Sequence, residues 1–161
     1  MRRLISYSVR VGLRAGGCYL SDDGLGALIL LRGREKPTTF TDQIRLIFGV
    51  MGLRRIGPVL RKEAYVEERH PTKPFLELWF LGVLPEAQGR GVGSKLLNET
   101  IDISEEEGLP IYLETSKDQT VEFYVRHGFE VFDEADFGFS FRCLRRIPLS
   151  GRGEAEIPSQ P

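Results

Sequence analysis

The chain has 161 residues, 41% hydrophobic and 28% charged, which suits one domain with a single core. A formal net charge of −1 supplies no overall basic field of the kind non-specific nucleic-acid binding needs, so nucleic acid is not expected as a partner. The two cysteines, Cys18 and Cys143, lie far apart and the two histidines are His70 and His127, so neither a disulfide framework nor a metal-ligand spacing is visible, and a reducing compartment fits.

Arg2 and Arg3 open the chain, but Ser6, Ser8, Arg10, Gly12 and Arg14 make the segment from Leu4 to Cys18 too polar for a signal-peptide core. No run of apolar residues is long enough to span a bilayer, so no membrane partner is expected and the chain reads as cytoplasmic. Leu4, Tyr7, Val11 and Ala15 recur at helical spacing up to Gly16-Gly17, which predicts a short amphipathic helix. Cys18-Tyr19-Leu20, the turn signal Asp22-Asp23-Gly24 and the run Leu25 to Arg32 predict a β-hairpin. After Lys36-Pro37, residues 38–70 read as a helical insertion between strands. Its first helix carries Ile44, Ile47, Phe48 and Met51, and its second Ile56, Val59, Leu60 and Tyr65, with Pro58 in a first turn. Such apolar stripes either cover one face of a sheet or wall a binding pocket.

Phe75 to Val83 reads as a central strand, apolar on both sides except at Glu77. An isolated buried carboxylate is costly, so Glu77 must face water, a cation or a working site. The strand breaks at Pro85, passes through Gln88-Gly89-Arg90-Gly91-Val92-Gly93 and continues as a helix to about Glu106, ended by Gly108 and Pro110. A glycine-rich turn feeding a helix N-terminus is suited to an anion, and a phosphate is the natural ligand. The spacing is not the Gly-x-Gly-x-x-Gly dinucleotide fingerprint, and Gly93-Ser94-Lys95 inverts the order a Walker loop needs. Glu105, Glu106 and Glu107 read as a solvated face. A strand Ile111 to Thr115, a helix Gln119 to His127, and strands Phe129 to Phe132 and Phe137 to Leu144 close a single domain of residues 1–149. Residues 150–161, rich in Gly, Pro, Ser and Glu, are expected to form a disordered tail.

The order Gln88-x-x-Gly91-x-Gly93 after the strand-ending Pro85-Glu86 resembles the pyrophosphate loop of the GNAT superfamily of acyl-CoA-dependent N-acetyltransferases. From Ile111, the stretch IYLETSKDQTVEFYVRHGFEVFDE is similar to that superfamily's next strand, helix and strand, with its Tyr-x-x-x-Gly-Phe pattern at Tyr124, Gly128 and Phe129. The resemblance runs from about Phe75 to Arg146 and implies an α/β (α+β) fold, with a mixed central sheet of about six strands flanked by helices. The chain departs from the family pattern in lacking the usual first strand and helix. That predicts either an exposed sheet edge, covered by another segment or chain, or a shortened variant.

The resemblance further implies acetyl-CoA as co-substrate, with its pantetheine arm along Leu81 and Val83 and its pyrophosphate at Gln88, Gly89, Arg90, Gly91, Val92, Gly93 and Ser94. Arg90 reads equally well as a solvated surface arginine. Thr120 stands where the family often has an asparagine near the pantetheine arm. Acetyl transfer to an amine requires a held cofactor, a neutral nitrogen nucleophile and a proton for the departing thiolate. Glu77 is the first candidate base, six residues before Val83, where some branches of the superfamily carry a glutamate. Its bland alternative is an ion pair with Arg54 or Arg61. On an alternating strand it shares a face with Trp79 and Leu81 unless a bulge near Gly82 shifts the register. Glu114, ending the next parallel strand, is the second candidate. Tyr124 aligns with the tyrosine that protonates the leaving thiolate, or is a packed core tyrosine. His127 reads as a helix end, and Cys18 and Cys143 as small apolar strand residues.

The expected activity is N-acetylation of a primary amine of a small molecule, by direct transfer in a ternary complex, with residues 38–70 carrying acceptor determinants. A protein or peptide acceptor and a non-catalytic acyl-CoA-binding sensor or subunit are the alternatives, and a homodimer is left open.

Overall fold

The computed structural model describes residues 2–33, 64, 65, 68, 69 and 71–149. The helical insertion 38–70, apart from those four positions, and the tail 150–161 lie outside the described residues, as do Arg54 and Arg61.

Six strands form one sheet among the described residues: β1 (Cys18–Leu20), β2 (Gly26–Arg32), β3 (Leu76–Val83), β4 (Ile111–Thr115), β5 (Glu130–Asp136) and β6 (Ser140–Arg146), in the spatial order β1-β2-β3-β4-β6-β5. The mixed sheet expected from the sequence is therefore present. Every neighbouring pair is antiparallel except β3 and β4, which are joined by the crossover helix α2 (Val92–Glu107) and so run parallel. Helix α1 (Arg2–Arg14) precedes β1, which is an edge of this sheet, and helix α3 (Asp118–Arg126) links β4 to β5.

The main core lies between the sheet and the two later helices. Leu28, Leu30, Leu76, Leu78, Leu113 and Leu144 of the sheet pack with Leu96 and Leu97 of α2 and Tyr124 of α3. Burying each such leucine contributes about 1.5–3 kcal/mol. On the opposite face, Val11 of α1 packs on Ile29 and Leu31, and a third cluster gathers Phe141 and Cys143 with Tyr65, Phe132 and Phe137.

Two register shifts interrupt the ladders. Ile29 faces Phe80 and Leu30 faces Leu78, so Trp79 is an extra residue of β3; likewise Val131 faces Leu144 and Asp133 faces Cys143, leaving Phe132 extra in β5. The first shift corrects the expected face of β3. It falls at Trp79, before Gly82, so Leu81 joins the core side with Leu76 and Leu78, while Glu77 lies on the other face.

Two further expectations are corrected. β5 continues through Asp136 and β6 begins only at Ser140, because Asp133 to Asp136 reads as polar loop but forms a ladder on a sheet edge; the turn is made at Gly138 (φ 84°), whose N–H bonds Asp136 Oδ1 at 2.7 Å. The acidic end of α2 is more than a solvated face. Glu105 accepts from Arg146 Nη1 and from the Leu149 N–H, each at 2.7 Å, and Glu107 pairs with Arg32, so this helix end is tied to β6 and β2.

Candidate active site

Beyond Val83 the chain passes Leu84, makes one 3-10 turn over Pro85–Ala87 and reaches two left-handed glycines, Gly89 (φ 75°) and Gly91 (φ 84°). A side chain at either would be strained, and a Cβ there would meet nothing within 4 Å, so these turns face open space. Gly91 caps α2 without a side-chain partner, and the first helical bond runs from Lys95 N–H to Gly91 O at 2.9 Å. The N–H groups of Val92, Gly93 and Ser94 therefore precede the helical ladder and point out of the positive end of the helix. A groove of about 550 Å³ lies between this loop and α3. It is lined by Leu81, Val83, Gln88, Gly89, Gly91, Val92, Gly93, Ser94, Thr120 and Tyr124, ten of the eleven positions named for the coenzyme. Gln88 turns back, its Nε2 donating to Val83 O at 3.3 Å. Arg90 does not line the groove; it is exposed, and its charge contributes slightly to holding the Asp23 carboxyl low, after the hydrogen bonds from Ser21 and Leu25.

A second space opens because β3 and β4 pair only at Leu76 with Ile111 and at Glu77 with Tyr112. Past these positions the strands diverge, and a cavity of about 510 Å³ occupies the split. Glu77, only 7% exposed, and Glu114 both line it. They lie on the same face of the sheet: Glu77 is level with Tyr112, and Glu114 follows two residues later on β4. Trp79, Tyr112, Phe132, Phe139 and Phe141 supply aromatic walls. Arg69 also reaches the cavity, with its Nε bonded to Asp133, Nη1 donating to Tyr65 O at 3.0 Å and its guanidinium 3.3 Å above the Tyr65 ring. Burial alone would raise the Asp133 carboxyl, but hydrogen bonds from Arg69 and Tyr65 outweigh it and hold the group low.

Groove and cavity share Leu81, Thr120 and Tyr124. Tyr124 is 6% exposed, and burial pushes its phenol up to about 12, so it carries its proton throughout the physiological range. The site thus has carboxylates that can accept a proton on one side and a phenol that can donate one at the junction. His127 caps the end of α3, its Nδ1 2.8 Å from Phe123 O, and lines neither space. Cys143 is buried on β6 beside the cavity, and Cys18 packs under α1.

Sequence reasoning missed Gln119, Phe123 and Arg126 in the groove, although they share the α3 stripe that carries Thr120 and Tyr124. It also missed most of the aromatic wall, since Tyr112, Phe132, Phe139 and Phe141 come from three strands and a turn. Among the described residues, no helix is long and apolar enough to cross a membrane, and no group of three or more His, Cys, Asp or Glu could hold a metal ion.

Comparison with known proteins gives the family. The family model described as Acetyltransferase (GNAT) family matches residues 36–129. An uncharacterized N-acetyltransferase of Staphylococcus saprophyticus is 33% identical over 79 residues, 48% of this chain and 51% of that protein, so the chain spans about half the length of this curated relative. Among solved structures, a histone acetyltransferase HPA2 and related acetyltransferase from Corynebacterium glutamicum superposes with a TM-score of 0.61 at 21% identity, over 99% of this chain and 76% of that one. Arylalkylamine N-acetyltransferase 2 from Aedes aegypti gives 0.64 at 13% identity, over 91% and 80%. At these identities the structures speak for the fold, while the family model covers more than half of the sequence. The chain belongs to the GNAT acetyltransferase family.

Proposed function

We propose that this protein transfers the acetyl group of acetyl-CoA directly to a primary amine of a small molecule. The observation that carries this reading is the position of Tyr124, common to the glycine-loop groove and the carboxylate-bearing cavity. The groove residues fit the coenzyme: open left-handed turns at Gly89 and Gly91 leave room beside the backbone, and the start of α2 presents N–H groups to an anion. Among the described residues no strand pairs with the edge of β3 facing the split past Glu77, so its backbone at Leu81 and Val83, where Val83 O accepts only from the Gln88 side chain, is suited to an extended amide-bearing arm. Thr120 can offer a hydroxyl to the same arm.

When bound, acetyl-CoA supplies the acyl group already activated as a thioester. The chain's own residues supply the rest. An alkyl ammonium must lose a proton before its nitrogen can attack, and Glu77 or Glu114 accepts it, directly or through water. Tyr124 keeps a proton at Oη where the two spaces meet, for the sulfur that leaves. A phenol raised to about 12 is a weak acid toward a solvated thiolate, but the same dry surroundings raise the basicity of a sulfur anion beside it.

The test is a thermal shift with acetyl-CoA, coenzyme A and ATP, followed by amine-dependent release of free thiol. We expect a midpoint rise with both coenzyme A species and not with ATP, and thiol release that needs an amine. Tight acetyl-CoA binding with no thiol release from any amine would make the protein an acyl-CoA sensor. No rise with any of them would set the reading aside.

A further inference from the structure

Resting on that reading, we infer that the acceptor is an arylalkylamine: a monoamine with one ammonium on a short linker and an apolar, ring-bearing body. The strongest observation is where the sheet breaks its own regularity. Both register shifts insert an aromatic residue, Trp79 in β3 and Phe132 in β5, and both of these extra residues line the same cavity. A bulge costs a ladder position and re-aims a side chain, and here two separate bulges deliver rings to one space.

Those rings already meet edge to face. Phe132 and Tyr112 lie at 5.6 Å with planes at 82°, and Phe139 and Phe141 at 6.5 Å and 81°. A ligand ring can extend such an array in the geometry aromatic pairs favour, whereas a hydrated chain cannot. The charges set the other end of the ligand. Glu77 and Glu114 enter the cavity from neighbouring strands, the guanidinium of Arg69 is engaged by Asp133, and Lys117 lines the cavity from an exposed position beyond β4, so a cation is favoured beside the carboxylates. A second ammonium, as in a polyamine, would have to leave those carboxylates and lose water against the rings.

The experiment compares kcat/KM for thiol release with phenethylamine, n-butylamine, spermidine and a short peptide with a free N-terminus. Phenethylamine should exceed each of the others by about tenfold or more, the scale on which a hydrophobic pocket discriminates. Phe132→Leu, which keeps bulk but loses the ring, should move the phenethylamine to n-butylamine ratio toward unity. Phe139→Ala, at a half-exposed turn where folding is not at stake, should do so in part. A higher kcat/KM for spermidine or the peptide, or a ratio unmoved by both substitutions, overturns the inference while leaving amine acetylation intact. Acetyl-CoA binding without thiol release from any of the four amines would remove the proposed function and this inference with it.

Discussion

The two spaces that meet at Tyr124 are made of different materials. One wall of the groove is built largely from backbone, with two left-handed glycines, the first N–H groups of α2 and the side of β3 that no described strand pairs, all within Leu81 to Ser94, and side chains of α3 form the other wall. The cavity is built from side chains on β3, β4, β5, β6 and the turn at Phe139, with Arg69 reaching in from outside the sheet. A site made of backbone can keep one ligand whatever surrounds it. One made of side chains can change its ligand by single substitutions. Under the proposed function, this difference would put most of cofactor recognition in the stretch 81–94 and α3, and acceptor choice across the strands.

Substitutions on either side should separate along this line. Tyr124→Phe, at the junction, should have the largest effect, lowering kcat by about 10²-fold or more as expected for loss of a general acid, while the thermal shift with coenzyme A survives. Gly91→Ala should act only on the groove. It places a Cβ at φ 84°, a strain of about 1–2 kcal/mol, and should raise KM for acetyl-CoA about tenfold with kcat nearly kept, as measured by initial rates. Glu105→Ala touches neither space. Removing its mostly buried pair with Arg146 and its bond from the Leu149 N–H should cost about 1–3 kcal/mol in urea unfolding and leave the kinetics unchanged.

The pH response sharpens the same contrast. Tyr124 and Tyr65 both have phenols raised by burial to about 12, so the folded chain holds these protons more tightly than the unfolded chain does. Their contribution to stability is complete below about pH 10, where an unfolded tyrosine titrates, and is lost as pH rises toward 12. Urea midpoints should fall over that window. The rate should show no loss from Tyr124 ionisation below about pH 10.

How much of the site was legible in the sequence depends on the same distinction. The glycine loop, the start of α2 and the α3 position of Tyr124 are local patterns, so ten groove residues could be named from spacing and family resemblance. Glu77 could be named as a carboxylate out of place on an apolar strand and Glu114 from its place at the carboxyl end of the next parallel strand, and both line the cavity. The faces of β3 could not be read, because a bulge at Trp79 depends on how β2 pairs with it. Phe132, Phe139 and Phe141 read only as residues of the last two strands, since only the pairing of β5 with β6, and of β6 with β4, brings them to the cavity. Asp133 to Asp136 read as loop because an edge strand needs no apolar alternation on its solvent side. Glu105 read as solvated because its partner Arg146 lies on a different element.

The most direct measurement is a crystal structure with coenzyme A bound. The pyrophosphate should lie against the N–H groups of Val92, Gly93 and Ser94 beside the Gly89 and Gly91 turns, with the thiol within about 3.5 Å of Tyr124 Oη, facing Glu77 and Glu114 across the split between β3 and β4. A coenzyme whose thiol ends away from Tyr124, or which binds outside the glycine-loop groove, would contradict this account.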